Sequence, residues 1–354
     1  MVFRKILFFL LMMMTGGSLS AQENLGLKDV YKDYFKVGCA INMGNFYHPE
    51  DLELILREYN SITAENDHKT GMVHPREGVW NWQGADVIAN FCRENHLPLR
   101  LHNLCWHAQF ADWMMYDEQG NPVPDEVFYA RLRDHIFTIV DRYRDIIYAI
   151  DVVNEAMADG GPDVQPYRPS KLYERFGDEF IAKAFQFAAE AAGHDVLLIY
   201  NDYNAADRFK SQRIFNMVKK MKEEYGVRVD GIGMQGHYNI YGPSAAEVDS
   251  AITMYRRIVD HIQFTELDVR VNMEMGGQLQ FSQKGEEITD EVKARHTEQY
   301  RALFEVFRKH RDVIDCVTFW NVSDRDSWLT SSNYPLLFDK ALQRKDAYRA
   351  ITSF

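Results

Sequence analysis

Cysteine is scarce in this chain. Only Cys39, Cys92, Cys105 and Cys316 occur, with no Cys-x-x-Cys pair and no zinc-type spacing, which excludes a disulfide-framed miniprotein and a structural zinc site. Three of the four lie in apolar, strand-like runs, where free cysteine acts as a small buried hydrophobe, so all four are expected to be reduced. Metal-binding histidine patterns are missing too. There is no His-Glu-x-x-His, and the first strand-like run, Val37-Gly-Cys-Ala-Ile-Asn42, lacks the His-x-His of a metal-dependent barrel hydrolase; no metal and no organic cofactor is expected. Positive charge is in deficit. A formal charge of -12 argues against nucleic acid or an anionic membrane surface as partner, and does not repel a neutral substrate. Low-complexity tracts, short repeats and Ser/Pro/Gly-rich linkers are absent, which leaves one domain. Beyond residue 21 no apolar run is long enough to cross a bilayer.

What the amino terminus does have is order. Arg4 and Lys5 precede the apolar run from Ile6 to Met14, followed by Gly16, Gly17, Ser18, Ser20 and Ala21. That succession reads as a secretory signal peptide over residues 1–21, cut after Ser20 or Ala21, with residues 22–354 forming the catalytic domain. Export to the periplasm or the medium follows. Loss of Arg4 and Lys5 takes the charge from -12 to -14. No cysteine lies near the cut, so a lipoprotein route is not expected.

Short apolar runs alternate with longer amphipathic ones. Strands are predicted at 36–42, 60–64, 98–104, 147–153, 196–201, 230–235, 262–268 and 315–321, and helices near 50–58, 83–95, 125–144, 171–192, 208–225, 245–258, 290–310 and 341–350. Eight of each in alternation predict an α/β fold, a closed (β/α)8 TIM barrel, whose chemistry sits at the carboxyl ends of the strands. The polar clusters fall there. Glu155 closes Tyr148-Ala-Ile-Asp-Val-Val-Asn-Glu, and Glu266 closes Val259-Asp-His-Ile-Gln-Phe-Thr-Glu. Two carboxylates at buried strand ends are costly unless paired, ligating or catalytic, and a facing pair is what glycosidic cleavage requires.

Further clusters surround the same mouth: Thr63-Ala-Glu65-Asn66-Asp-His-Lys69, His102-Asn103-Leu-Cys-Trp106-His107-Ala-Gln109, Asn201-Asp-Tyr203-Asn204, Gln235-Gly-His237, Thr265-Glu266-Leu-Asp268, and Trp320 with Trp328. Taken singly, each acid, imidazole or indole has an ordinary structural reading. The ordered series is specific. Over residues 30–351 it resembles glycoside hydrolase family 10, mainly retaining endo-β-1,4-xylanases on a (β/α)8 barrel, with no appended carbohydrate-binding module.

The resemblance implies Glu155 as general acid/base and Glu266 as nucleophile. It makes Asn154 the contact to the sugar 2-hydroxyl, His237 and Asp268 the partners that orient and ionise Glu266, and Gln235 the neighbour of the acid/base. Glu65, Asn66, Lys69, His102, Trp106, His107 and Gln109 match the glycone-side pocket, Trp320 and Trp328 its roof, and Tyr203 the ring at the leaving-group sugar. Xylan and xylo-oligosaccharides are the implied partners, acted on by a monomer. Groups matching Gln109 and Trp320 crowd the place of a glucose hydroxymethyl, which favours xylose. Two alternatives stay open: a retaining β-1,4-glucanase or cellobiosidase on the same barrel, and an inert carbohydrate-binding barrel. Leu101, Asn103, His68, Ile150 and Asp346 depart from the usual family pattern, as does the missing proline before Trp113, without removing a catalytic group.

Overall fold

The computed structural model describes residues 25–271, 288–329 and 333–354; the expected signal peptide lies outside them. Nine parallel-paired strands are present among these residues: β1 (Lys36–Ile41), β2 (Ser61–Ala64), β3 (Leu99–Trp106), β4 (Ile147–Asn154), β5 (Leu197–Asp202), β6 (Gly231–Met234), β7 (His237–Asn239), β8 (His261–Arg270) and β9 (Ile314–Phe319). Neighbours pair from β6 back to β1, then through β9 to β8, and the β6–β8 pairing closes the ring. The barrel therefore has the eight strands predicted. The additional β7 follows Gln235 and Gly236 and pairs with the far end of β8, His237 facing Asp268. Strands covered on both faces are buried almost throughout, as β1, β2 and β5 are; β1 is apolar after Lys36, whereas β2 buries Ser61 and Thr63 and β5 buries Asn201 and Asp202.

The helices lie close to their predicted spans, with two differences. The span 171–192 is two helices, Lys171–Phe176 and Glu179–Ala192, because Gly177 adopts φ 59° and ends the first with its N–H on Tyr173 O. The last helix runs Asp346–Thr352, since Asp339 captures the N–H groups of Ala341 and Gln343 and turns the chain there. Caps fix several other starts. Asp207 accepts from the N–H groups of Phe209 and Lys210, and Ser244 with Glu247 forms a reciprocal box. All four cysteines are free and buried, as expected.

Polar groups also occupy the barrel interior. Arg100, fully buried on β3, donates to both oxygens of Asp151 on β4 and to Gln263 Oε1 on β8 at 2.8 Å. Space there is tight. A Cβ on Gly233 would stand 2.4 Å from Asn201 Oδ1 and 2.9 Å from Thr265 Cγ2. Neither neighbour can yield, because Thr265 Oγ1 donates to Asn201 Oδ1 at 2.6 Å. Gly233→Ala should cost about 1–3 kcal/mol in urea unfolding; an unchanged midpoint would show that β5 can move aside.

Candidate active site

The predicted residues gather at the carboxyl-end face. Glu155 directly follows β4 with φ 58°, half-buried; Glu266 lies within β8, 5 % exposed. Three amides join them. Gln235 Nε2 donates to Glu155 Oε1 at 2.9 Å and to Asn154 Oδ1 at 3.3 Å, while Asn201 Nδ2 donates to the same Asn154 oxygen at 3.0 Å and to Glu266 Oε1 at 2.8 Å. Both amino groups are then fully used. Asn154 Nδ2 reaches Glu155 Oε1 at 3.3 Å, which leaves one of its protons for a ligand.

Their surroundings differ in charge. Glu155 receives the Trp106 indole N–H at 2.9 Å, and among the described residues no ion pair to its carboxylate is formed. Burial, then the charges of Asp202 and Glu266, push its carboxyl above the ordinary glutamate range, against the donors Gln235 and Trp106. Burial also pushes Glu266 upward, but His102, His237 and Lys69 outweigh it and hold the group at about 2. His237 lies between two acids, Nε2 at 3.1 Å from Glu266 Oε2 and Nδ1 at 2.8 Å from Asp268 Oδ2. Burial opposes its charge, yet Asp268 and Glu266 raise it to about 10. Trp328 Nε1 donates to the same Asp268 oxygen at 2.8 Å. His102 Nδ1 is 2.7 Å from Asp151, which Arg100 holds, and 3.9 Å from Glu266 Oε1. One site thus sets a carboxyl pushed toward its neutral form beside one held in its ionised form.

Among the residues expected to form the glycone pocket, Glu65 Oε2 accepts from Asn42 at 2.7 Å and from Asn321 at 3.0 Å. Lys69 Nζ donates to Asn66 Oδ1 at 2.9 Å and lies 4.9 Å from the Trp106 ring and 6.0 Å from Trp320. Burial lowers Lys69, partly offset by Glu266, Glu65 and Glu155. Gln109 accepts the Gly71 N–H on its backbone oxygen at 2.9 Å, which ties the loop after β3 to the segment after β2. Trp320 is only 4 % exposed and meets His102 edge-on at 5.3 Å, so it is a wall more than a roof.

Two predicted residues are placed less simply. His107 is held down at about 4 by burial and then by the charges of Arg168 and Lys210, and its ring meets Trp106 edge-on at 6.1 Å. Tyr203 is half-buried, its hydroxyl donating to Asp159 at 2.5 Å and Lys210 Nζ lying 3.5 Å from its ring centroid, so one ring face is already covered. A cleft of about 300 Å³, lined by Asp159, Asn204, His237 and Asn239, continues from this side. Asn42, Asp151, Asn201 and Asn321 are site residues that the sequence reading did not single out. Asn201 was in view within Asn201-Asp-Tyr-Asn204, but only the ring in that motif had an evident use.

The Glu266–His237 pair fixes a pH window. Glu266, depressed to about 2, contributes stability above its unfolded value near ~4.3 and loses it as pH falls; His237, raised to about 10, contributes fully below its unfolded value near ~6.5 and loses it as pH rises. The stability gap between the parent and His237→Asn should therefore be widest between about pH 4.5 and 6.5. Urea titrations giving a gap flat from acid to alkaline pH would contradict this coupling.

Comparison with known proteins agrees with the geometry. The family model for glycosyl hydrolase family 10 matches residues 26–354. An endo-1,4-beta-xylanase/feruloyl esterase of Xylanibacter ruminicola is 53% identical over 93% of this chain, which spans 47% of that longer protein. Endo-1,4-beta-xylanase B of Paenibacillus barcinonensis is 38% identical, with 90% of this chain and 95% of that protein covered. Among solved structures, a psychrophilic family 10 endo-beta-1,4-xylanase superposes with a TM-score of 0.88 at 53% identity, covering 93% of this chain and 99% of its own. The chain belongs to glycosyl hydrolase family 10.

Proposed function

We propose that the chain is an endo-acting retaining β-1,4-xylanase, with Glu155 as general acid/base and Glu266 as nucleophile. The observation that carries the reading is the opposite environment of the two carboxyls: one among neutral donors and pushed up, the other among imidazoles and an ammonium and held at about 2. In the first step Glu155 gives its proton to the glycosidic oxygen as the C1–O bond breaks, and a Glu266 oxygen bonds to C1. Glu266 thereby loses its charge, and the neighbouring carboxyl becomes more acidic. In the second step Glu155 takes a proton from water, whose oxygen displaces Glu266 and restores the original anomeric configuration.

Xylan is the substrate supported by the names of the relatives and by the buried Trp320, whose backbone N–H donates to Leu267 O at 3.1 Å. A hydroxymethyl refused by such a wall is worth about 1–3 kcal/mol, so aryl cellobiosides should turn over about 10–200-fold less efficiently than aryl xylobiosides. The charged, apolar and small-residue order of residues 1–21 supports a secreted or periplasmic protein, which the amino-terminal sequence of the exported product would test.

Glu266→Ala should abolish turnover while sparing oligosaccharide binding; normal xylan hydrolysis by that variant would refute the nucleophile assignment. Glu155→Ala should slow xylo-oligosaccharides by a factor of about 10²–10⁴ and activated aryl xylosides far less. Equal slowing of both would remove Glu155 from the acid role.

A further inference from the structure

Strand β5 addresses both glutamates, from its two faces. Because successive side chains on a strand point to opposite sides, Asn201 turns one way and bonds Glu266, while Tyr200 and Asp202 turn the other way, toward the turn after β4. That turn holds Glu155 at φ 58°, a region a residue with a Cβ seldom adopts. Glu155 N–H donates to Asn201 O at 2.9 Å, and Arg168 Nε donates to Glu155 O at 2.9 Å. The next two residues are held by side chains. The Tyr200 hydroxyl accepts the N–H groups of Ala156 at 3.0 Å and Met157 at 3.1 Å, and it donates to Asp202 Oδ2 at 2.5 Å. The same Asp202 oxygen stands 3.3 Å from Met157 N.

A phenol has one proton and two lone pairs. By taking the proton, Asp202 leaves both lone pairs aimed at the two N–H groups, so the aspartate sets the direction in which the tyrosine works. Both residues are fully buried. We propose that Tyr200 and Asp202 are positioning residues for Glu155, clamping the turn that carries it and setting a buried acid behind its carboxyl. The proposal rests on the acid/base role assigned above.

The charges around the clamp are few. Asp202 Oδ1 pairs with Lys210 Nζ at 2.9 Å, and Lys210 also reaches Asp159 at 3.0 Å. Arg168 faces Asp202 from the loop after β4, and Tyr255 faces it from helix Ala245–Tyr255. Around Glu155 stand Trp106, Asn154, Gln235 and Glu266, with Lys69 beyond. After burial, Asp202 is the strongest influence raising Glu155. Replacing it with asparagine removes a negative charge and leaves Lys210 less balanced. Both changes favour the ionised form of Glu155.

The test measures kcat/KM against pH for the parent, Asp202→Asn and Tyr200→Phe, on a xylo-oligosaccharide and on an activated aryl xylobioside. In Asp202→Asn the basic limb should move down by about half a unit to one unit, and above that limb the oligosaccharide should suffer more than the aryl substrate. Tyr200→Phe should lower kcat on the oligosaccharide about ten- to hundredfold with KM near the parent's. An unmoved basic limb in a folded Asp202→Asn overturns the proposal. If that variant does not fold, Tyr200→Phe decides alone, and parent-like kinetics there overturn it. A parent inactive on both substrates would instead refute the acid/base reading beneath it.

Discussion

Burial pushes a carboxyl toward its neutral form, and both glutamates of this site are buried enough to feel it; where the positive groups stand separates them. His237, held between Glu266 and Asp268, is fixed from both ring nitrogens, and His102 is fixed by Asp151 and, behind it, Arg100. Neither imidazole can swing toward Glu155. The three amides between the carboxyls carry hydrogen bonds but no charge, so they hold the geometry without erasing the electrostatic contrast.

Rigidity comes from strands more than loops. Glu266 is inside β8, Asn201 inside β5 and His102 inside β3. Gln235 stands one residue beyond β6, and Glu155 one residue beyond β4 in a left-handed turn. The loop that follows is correspondingly well held. Arg213, on helix Arg208–Glu223, donates to the backbone oxygens of Ala158 and Gly160 at 2.9 Å each, and also to Gly161 and Val164. The loop after Glu155 is thus a formed wall.

Much of this was legible in the sequence, for physical reasons. Parallel strands buried on both faces leave continuous apolar runs, and amphipathic helices leave a period of 3.6, so the eight-fold alternation stood out. Carboxylates at the ends of such runs stood out because their burial needs a reason. Less legible was anything that depends on which neighbour a side chain meets. Asn201, Asp151 and Arg100 have no evident partner as polar residues within strands until the barrel closes and brings β3, β4, β5 and β8 around one axis. Gly233 likewise shows its purpose only when Asn201 is seen against it. The split at Gly177 turns on one backbone angle, which periodicity does not carry.

The central claim is that Glu266 forms a bond to the sugar while Glu155 handles the proton. It is tested most directly by treating the protein with an activated 2-deoxy-2-fluoro-β-xylobioside, which slows release of the glycosyl-enzyme, and locating the adduct by peptide mass mapping. The account predicts one xylobiosyl group per chain, attached to Glu266. An adduct on any other residue, or none in a protein that still hydrolyses xylan, would contradict it.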